Sequence, residues 1–175
     1  INNTEAYMNT SFFINNRKRF AEQMADNSTA VFFSGKAPRE SADQEYPFSV
    51  DRTFFYLTGI SREDMVLLIN KIAGKVTELL YIPPVDEVFE KWFGILLREE
   101  EAIELSGINT VKSRVDFSDQ FAKRLCSAER PDNVYIFSYL TAANESYDEY
   151  RRLAHMIRNQ FPAVNILNSL DIVTD

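Results

Sequence analysis

Apolar residues along this chain fall into two periods, short continuous runs and stripes at helical spacing. From Thr10, read as an N-cap, the residues Phe12, Phe13, Phe20, Ala21 and Met24 share one side of a predicted helix that Asp26-Asn27-Ser28 closes. Arg17, Lys18 and Arg19 fall on its other side and read as a solvated basic face rather than an anion site. Ala30-Val31-Phe32-Phe33 reads as a short buried strand, followed by a polar, proline-punctuated loop over residues 35–50. Phe54-Phe55-Tyr56-Leu57 is a second apolar segment, stopped by Thr58-Gly59. Residues 66–69 and 78–82 are expected as two further strands joined by a hairpin connection over residues 70–75, with Pro83-Pro84 closing the second.

After a mixed region over residues 86–94, the spacing predicts a helix over residues 98–105 that stops at Gly107. A further helix is capped by Ser118, with Phe121, Ala122 and Leu125 inward. A strand over residues 134–137, a helix over residues 147–160 and a last strand over residues 164–167 complete the pattern. Strands cluster in the first half and alternate with helices in the second. That order implies an α/β fold, a single domain built on one mixed β-sheet flanked by helices. Residues 1–9 are expected to be a flexible lead-in and residues 10–175 the domain.

Composition narrows the classes. Of 175 residues 45% are apolar and 13% aromatic, enough to offset the entropy of ordering the chain, so a disordered tail is excluded. The net charge of -7 argues against a nucleic-acid partner, which needs a concentrated basic face. No apolar run approaches the roughly 20 residues of a membrane helix, and residues 1–20 hold no apolar signal-peptide core. One cysteine cannot form an internal disulfide and fits a reducing compartment, so a cytoplasmic protein without a membrane partner is expected.

The chemistry is sparse. His155 is the single imidazole; it lies off the Tyr150, Leu153, Ile157, Phe161 stripe, beside Arg151, Arg152 and Arg158, cations that disfavour a metal and the imidazolium alike. Cys126 reads as a small buried hydrophobe rather than a nucleophile. A phosphate loop at Ser34-Gly35-Lys36 fails, because Ala30 stands where a glycine is required and Ala37 where Ser or Thr is. Four glutamates among residues 99–104 lack a histidine and read as a solvated acidic face. The loop over residues 40–46 is the densest polar cluster beside aromatics, but spacing alone selects no acid–base pair from it. The residues by themselves describe a folded domain without a self-sufficient active site.

Three stretches change that picture when taken together: Ser41-Ala42-Asp43-Gln44-Glu45-Tyr46-Pro47-Phe48, Asp51-Arg52-Thr53-Phe54-Phe55-Tyr56-Leu57-Thr58-Gly59-Ile60, and Glu90-Lys91-Trp92-Phe93-Gly94. With Asn16-Arg17-Lys18-Arg19-Phe20 upstream, their order and spacing resemble the N-terminal domain of aminopeptidase P, in the creatinase/prolidase group, over about residues 12–167. The resemblance implies a two-domain metallopeptidase that removes an N-terminal residue preceding proline. Its C-terminal catalytic domain carries two divalent metal ions, usually manganese, whereas no cofactor is expected in this chain. The sequence stops at Asp175, before such a domain and its basic linker, which implies a segment of a longer enzyme that is inactive alone.

By the same resemblance, this domain helps build homodimers or homotetramers and close off the active site. Asp43 and Trp92 match positions that reach toward a neighbouring subunit's site. There the lone Trp would offer a flat wall to a proline ring and the carboxylate would attract a free α-ammonium. The structural alternative makes Trp92 ordinary core and Asp43 a loop cap. Arg52 and Tyr56 are expected in sheet packing and a structural ion pair. Competing functions are the corresponding domain of a prolidase, which cleaves Xaa-Pro dipeptides, and a stand-alone peptide- or protein-binding module. A free-standing acid–base enzyme using Asp43 and Glu45 is disfavoured.

Overall fold

All six residues of β1 (Ser28–Phe33) are buried. Successive strand side chains point to opposite faces, so Ala30 and Phe32 enter one apolar cluster while Val31 and Phe33 enter another. A strand apolar on both sides belongs at the centre of a sheet covered on both sides. The computed structural model, which describes residues 9–37, 39–41, 44–45, 47–137 and 149–173, places β1 there. The chain runs α1 (Thr10–Gln23), β1, a ribbon of β2 (Arg39–Ser41) and β3 (Gln44–Glu45), α2 (Arg52–Thr58), β4 (Val66–Ile72) and β5 (Lys75–Ile82). It continues through α3 (Glu87–Phe93), α4 (Glu99–Ser106), β6 (Val111–Ser113), a 3-10 turn (Arg114–Asp116), α5 (Phe117–Cys126), β7 (Asn133–Ile136), α6 (Glu149–Gln160), β8 (Asn165–Asn168) and α7 (Leu170–Val173).

The six-stranded sheet has the order β6-β5-β4-β1-β7-β8. Its centre is antiparallel, β1 with β4 and β4 with β5. Its flanks are parallel, β5 with β6, β1 with β7 and β7 with β8. The mixed α/β sheet expected from the sequence is therefore present. On one face Phe20, Phe54, Leu57, Ala102 and Ile172 bring α1, α2, α4 and α7 onto the strands. On the other, Phe117, Phe121, Leu125, Leu153 and Ile157 bring α5 and α6. The lead-in expected over residues 1–9 lies outside the described residues except for Asn9, which, rather than Thr10, caps α1 by accepting from the Ser11 N–H at 3.2 Å.

Three readings are corrected here. The apolar segment Phe54-Phe55-Tyr56-Leu57 is a helix, not a sheet element. Asp51 caps it by accepting from the Phe54 N–H at 2.8 Å, and Gly59, at φ +71°, ends it by donating to the Phe55 carbonyl at 2.8 Å. A Cβ at Gly59 would lie 2.3 Å from the Phe13 ring, so this glycine also lets α1 and α2 approach. Second, the Arg17-Lys18-Arg19 triplet is not uniformly solvated. Arg17 is wholly buried, because it stands four residues after Phe13 and three before Phe20 on the inward stripe. Its Nη1 donates to the Leu57 carbonyl at 2.7 Å, in the last turn of α2, and its Nε lies 3.1 Å from a Glu78 carboxylate oxygen on β5. Burial pulls the guanidinium pKa down from its ordinary value and Glu78 opposes that shift. Third, Ser118 lies inside the first turn of α5, which follows directly from the 3-10 turn.

Candidate functional site

The region over residues 86–94, left without an element by the apolar pattern, is the helix α3. Pro83 and Pro84 stop β5, since proline supplies no N–H to a ladder. Asp86 then accepts from the N–H groups of Val88 at 2.9 Å and Phe89 at 3.2 Å, capping the helix, and Glu87 and Glu90 stand in its first turn. Gly94, at φ +100°, ends it, donating to the Glu90 carbonyl at 3.1 Å. The sequence did carry this signal, in Pro-Pro, an Asp cap and a terminal glycine. What hid it was the absence of an inward stripe.

None of the seven residues of α3 is buried. Trp92 is 80% exposed, and Val85, Val88, Phe89, Phe93 and Ile95 are exposed with it. The Phe89 and Phe93 rings, one turn apart, pack on each other with centroids 4.6 Å apart. Exposed apolar side chains gathered on and beside one short helix make it a candidate interaction site. It offers no nucleophile and no general acid or base; what it offers is a broad aromatic wall.

Polar contacts hold α3 to the body. Glu90 accepts from Arg98 Nη1 at 2.6 Å, from Arg98 Nη2 at 3.2 Å and from the Leu96 N–H at 2.9 Å. The bidentate Arg98 guanidinium is the main reason that the Glu90 carboxyl is held below the usual carboxylate range. Arg62 Nη1 donates to the Ile95 carbonyl at 3.1 Å.

A model of the N-terminal domain of aminopeptidase P matches residues 13–135. The chain belongs to that family. The aminopeptidase P resemblance seen in the sequence thus holds over both α2 and α3. The chain is 33% identical over 127 residues to a protein of Ajellomyces dermatitidis assigned as an Xaa-Pro aminopeptidase, a match covering 68% of this chain and 26% of that protein. It is 32% identical over 113 residues to the Xaa-Pro aminopeptidase of Haemophilus influenzae, covering 65% of this chain and 26% of that one. Among solved structures, a Bacillus anthracis protein assigned to aminopeptidase P matches with a TM-score of 0.89 and 31% identity, over 95% of this chain and 39% of that chain. Aminopeptidase P from E. coli shares the fold, with a TM-score of 0.76 at 22% identity, over 95% of this chain and 38% of that chain. The chain thus spans about a quarter of the length of these curated relatives.

Within this aminopeptidase P N-terminal domain, Trp92 lies on the exposed apolar face of α3, so it is not core. Asp43, its expected companion, lies outside the described residues. Arg52 and Tyr56 sit on exposed positions of α2 rather than within the sheet, and the Tyr56 hydroxyl accepts from Arg19 Nη2 at 2.9 Å. A structural ion pair joins the buried Arg17 to the partly exposed Glu78 instead. Cys126 is exposed, not buried, because it stands one residue beyond the inward Phe121 and Leu125 at the end of α5. His155 is exposed on α6, with the Asn159 side-chain amide 2.9 Å from its Nε2. No group of three or more His, Cys, Asp and Glu side chains among the described residues could hold a metal ion. No helix among them is long and apolar enough to cross a membrane.

Proposed function

We propose that this chain is the non-catalytic N-terminal domain of an Xaa-Pro aminopeptidase, a hydrolase that removes the residue before proline from peptides with proline in second position. The names of its relatives support that activity for the parent protein, and the small share of their length that it covers supports a role as one domain among others. In this reading the metal ions, two and typically manganese, belong to a separate catalytic domain, and the enzyme is a cytoplasmic dimer or tetramer. The domain contributes to assembly and to access. Trp92 presents its face to the proline ring of a substrate in a neighbouring subunit, and Asp43 attracts the substrate's α-ammonium.

One observation carries the proposal: a capped helix places the chain's single tryptophan and its apolar neighbours in solvent, next to a sheet whose own core is complete without them. The first test separates domain from enzyme. Purified chain, given manganese and an Xaa-Pro-Xaa tripeptide, is expected to show no hydrolysis, while the parent protein turns the peptide over. Turnover that follows the purified chain through a second column would overturn the non-catalytic reading.

A further inference from the structure

We propose that Glu90 and Arg98 are positioning residues for Trp92, a polar staple that fixes the tryptophan's direction in place of a hydrophobic contact. The inference rests on the substrate-facing role proposed above for Trp92. It starts from a mechanical problem. A seven-residue helix is too short to be stable by itself, and no residue of α3 is fully buried. Packing alone holds it weakly. The Asp86 cap stabilises its first turn but does not fix it to the body. Glu90 does.

The anchor can be traced residue by residue. Leu97 is buried in the cluster shared by α1, α2 and α4. The residues on either side of it are the two that bind Glu90, Leu96 through its N–H and Arg98 through its guanidinium fork. The carboxylate is therefore tied to backbone that the core itself immobilises, and its side chain is only 14% exposed. Trp92 follows Glu90 by two residues, about 200° round a helix. Holding the Glu90 side against the body turns the Trp92 side outward. The same geometry sends Val88 outward, two residues before Glu90, and both are exposed. A carboxylate–guanidinium fork suits this task because two parallel hydrogen bonds restrict orientation as well as distance.

The chain contains one tryptophan, so its time-resolved fluorescence anisotropy reports Trp92 alone. Glu90→Ala and Arg98→Ala are expected to lose much of the slow component, which follows tumbling of the whole chain, and to gain fast local motion. Arg98→Lys, which keeps the charge but loses the fork, should fall between them and the original. Circular dichroism and the unfolding midpoint should stay close to the original, since the core clusters contain no α3 residue. In the parent enzyme Glu90→Ala is expected to raise KM for an Xaa-Pro peptide about threefold or more with kcat little changed, by misplacing a group that contacts substrate. Unchanged Trp92 anisotropy in both alanine variants overturns the staple, whatever the kinetics. If Trp92 loosens but Trp92→Ala itself leaves KM and kcat unaltered, the staple stands and the substrate-facing reading of Trp92 is the one that falls.

Discussion

β1 and α3 each carry a Val and two Phe, and these end in opposite surroundings. The strand reads Ser-Thr-Ala-Val-Phe-Phe and is buried throughout; the helix reads Glu-Val-Phe-Glu-Lys-Trp-Phe and is buried nowhere. Their shared apolar residues do not decide the difference; what lies against each face, and the three charged residues of α3, do. β1 has helices on both sides and a strand on each edge, so each apolar side chain finds partners. α3 is capped by Asp86 and fastened to the body by Glu90, and its apolar side chains are left without partners of that kind. A sequence can therefore set apart a surface for contact by supplying the polar groups that hold it open, and those groups sit between the apolar ones rather than away from them.

The comparison breaks first where the effect is largest. Phe32→Ala should cost about 3–5 kcal/mol by leaving a cavity under α1, whereas Trp92→Ala should change stability by no more than about 0.5 kcal/mol. Chemical denaturation of the two variants checks both, and similar losses would mean that α3 is part of the core after all. Next comes Arg17. Arg17→Ala leaves Glu78 without its partner, and because the Glu78 side chain is 26% exposed the loss should sit at the lower end for a buried pair, about 3 kcal/mol. Arg17→Met, which refills the volume, should lose less. An Arg17→Ala variant as stable as the original would restore the solvated-face reading of the triplet.

Asp51 gives the smallest and most specific effect. Asp51→Ala removes the α2 cap and should cost about 1 kcal/mol. Burial raises the Asp51 pKa, outweighing the hydrogen bonds from the Phe54 and Thr53 N–H groups that lower it. A carboxyl whose folded pKa is raised holds its proton longer in the folded state, so its contribution is full below the unfolded value and is lost as pH rises through the folded one. Asp51→Asn keeps an acceptor for the cap and should remove that slope from a plot of stability against pH. A slope that persists in the asparagine variant would place its origin elsewhere.

The sequence was most legible where one physical requirement decided the structure. Ala30 to Phe33 could be read as a strand because a run apolar on both faces has few other places to go, and Gly107 marked a helix end that the structure keeps, at φ +73°. It was least legible where a tertiary contact reversed a local rule. Phe54 to Leu57 has the look of a strand until the caps at Asp51 and Gly59 are counted. Arg17 reads as solvated on the rule that charge faces water, although it stands in the stripe between Phe13 and Phe20. Its partner Glu78 is 61 residues away in sequence, on a strand that spacing could not pair with α1. For the site, the motif around Trp92 was legible through its family, but not the helix that carries it, because α3 has no inward stripe from which to infer one.

The most direct test is the steady-state kinetics of Trp92→Ala in the parent enzyme with an Xaa-Pro peptide, taken beside its unfolding midpoint. If Trp92 faces substrate, kcat/KM should fall about tenfold or more, as losing about 1.5–3 kcal/mol of aromatic burial would give, with the midpoint unmoved. Unchanged kinetics with an intact fold would contradict it, and would leave α3 as an exposed apolar helix with no part in the reaction.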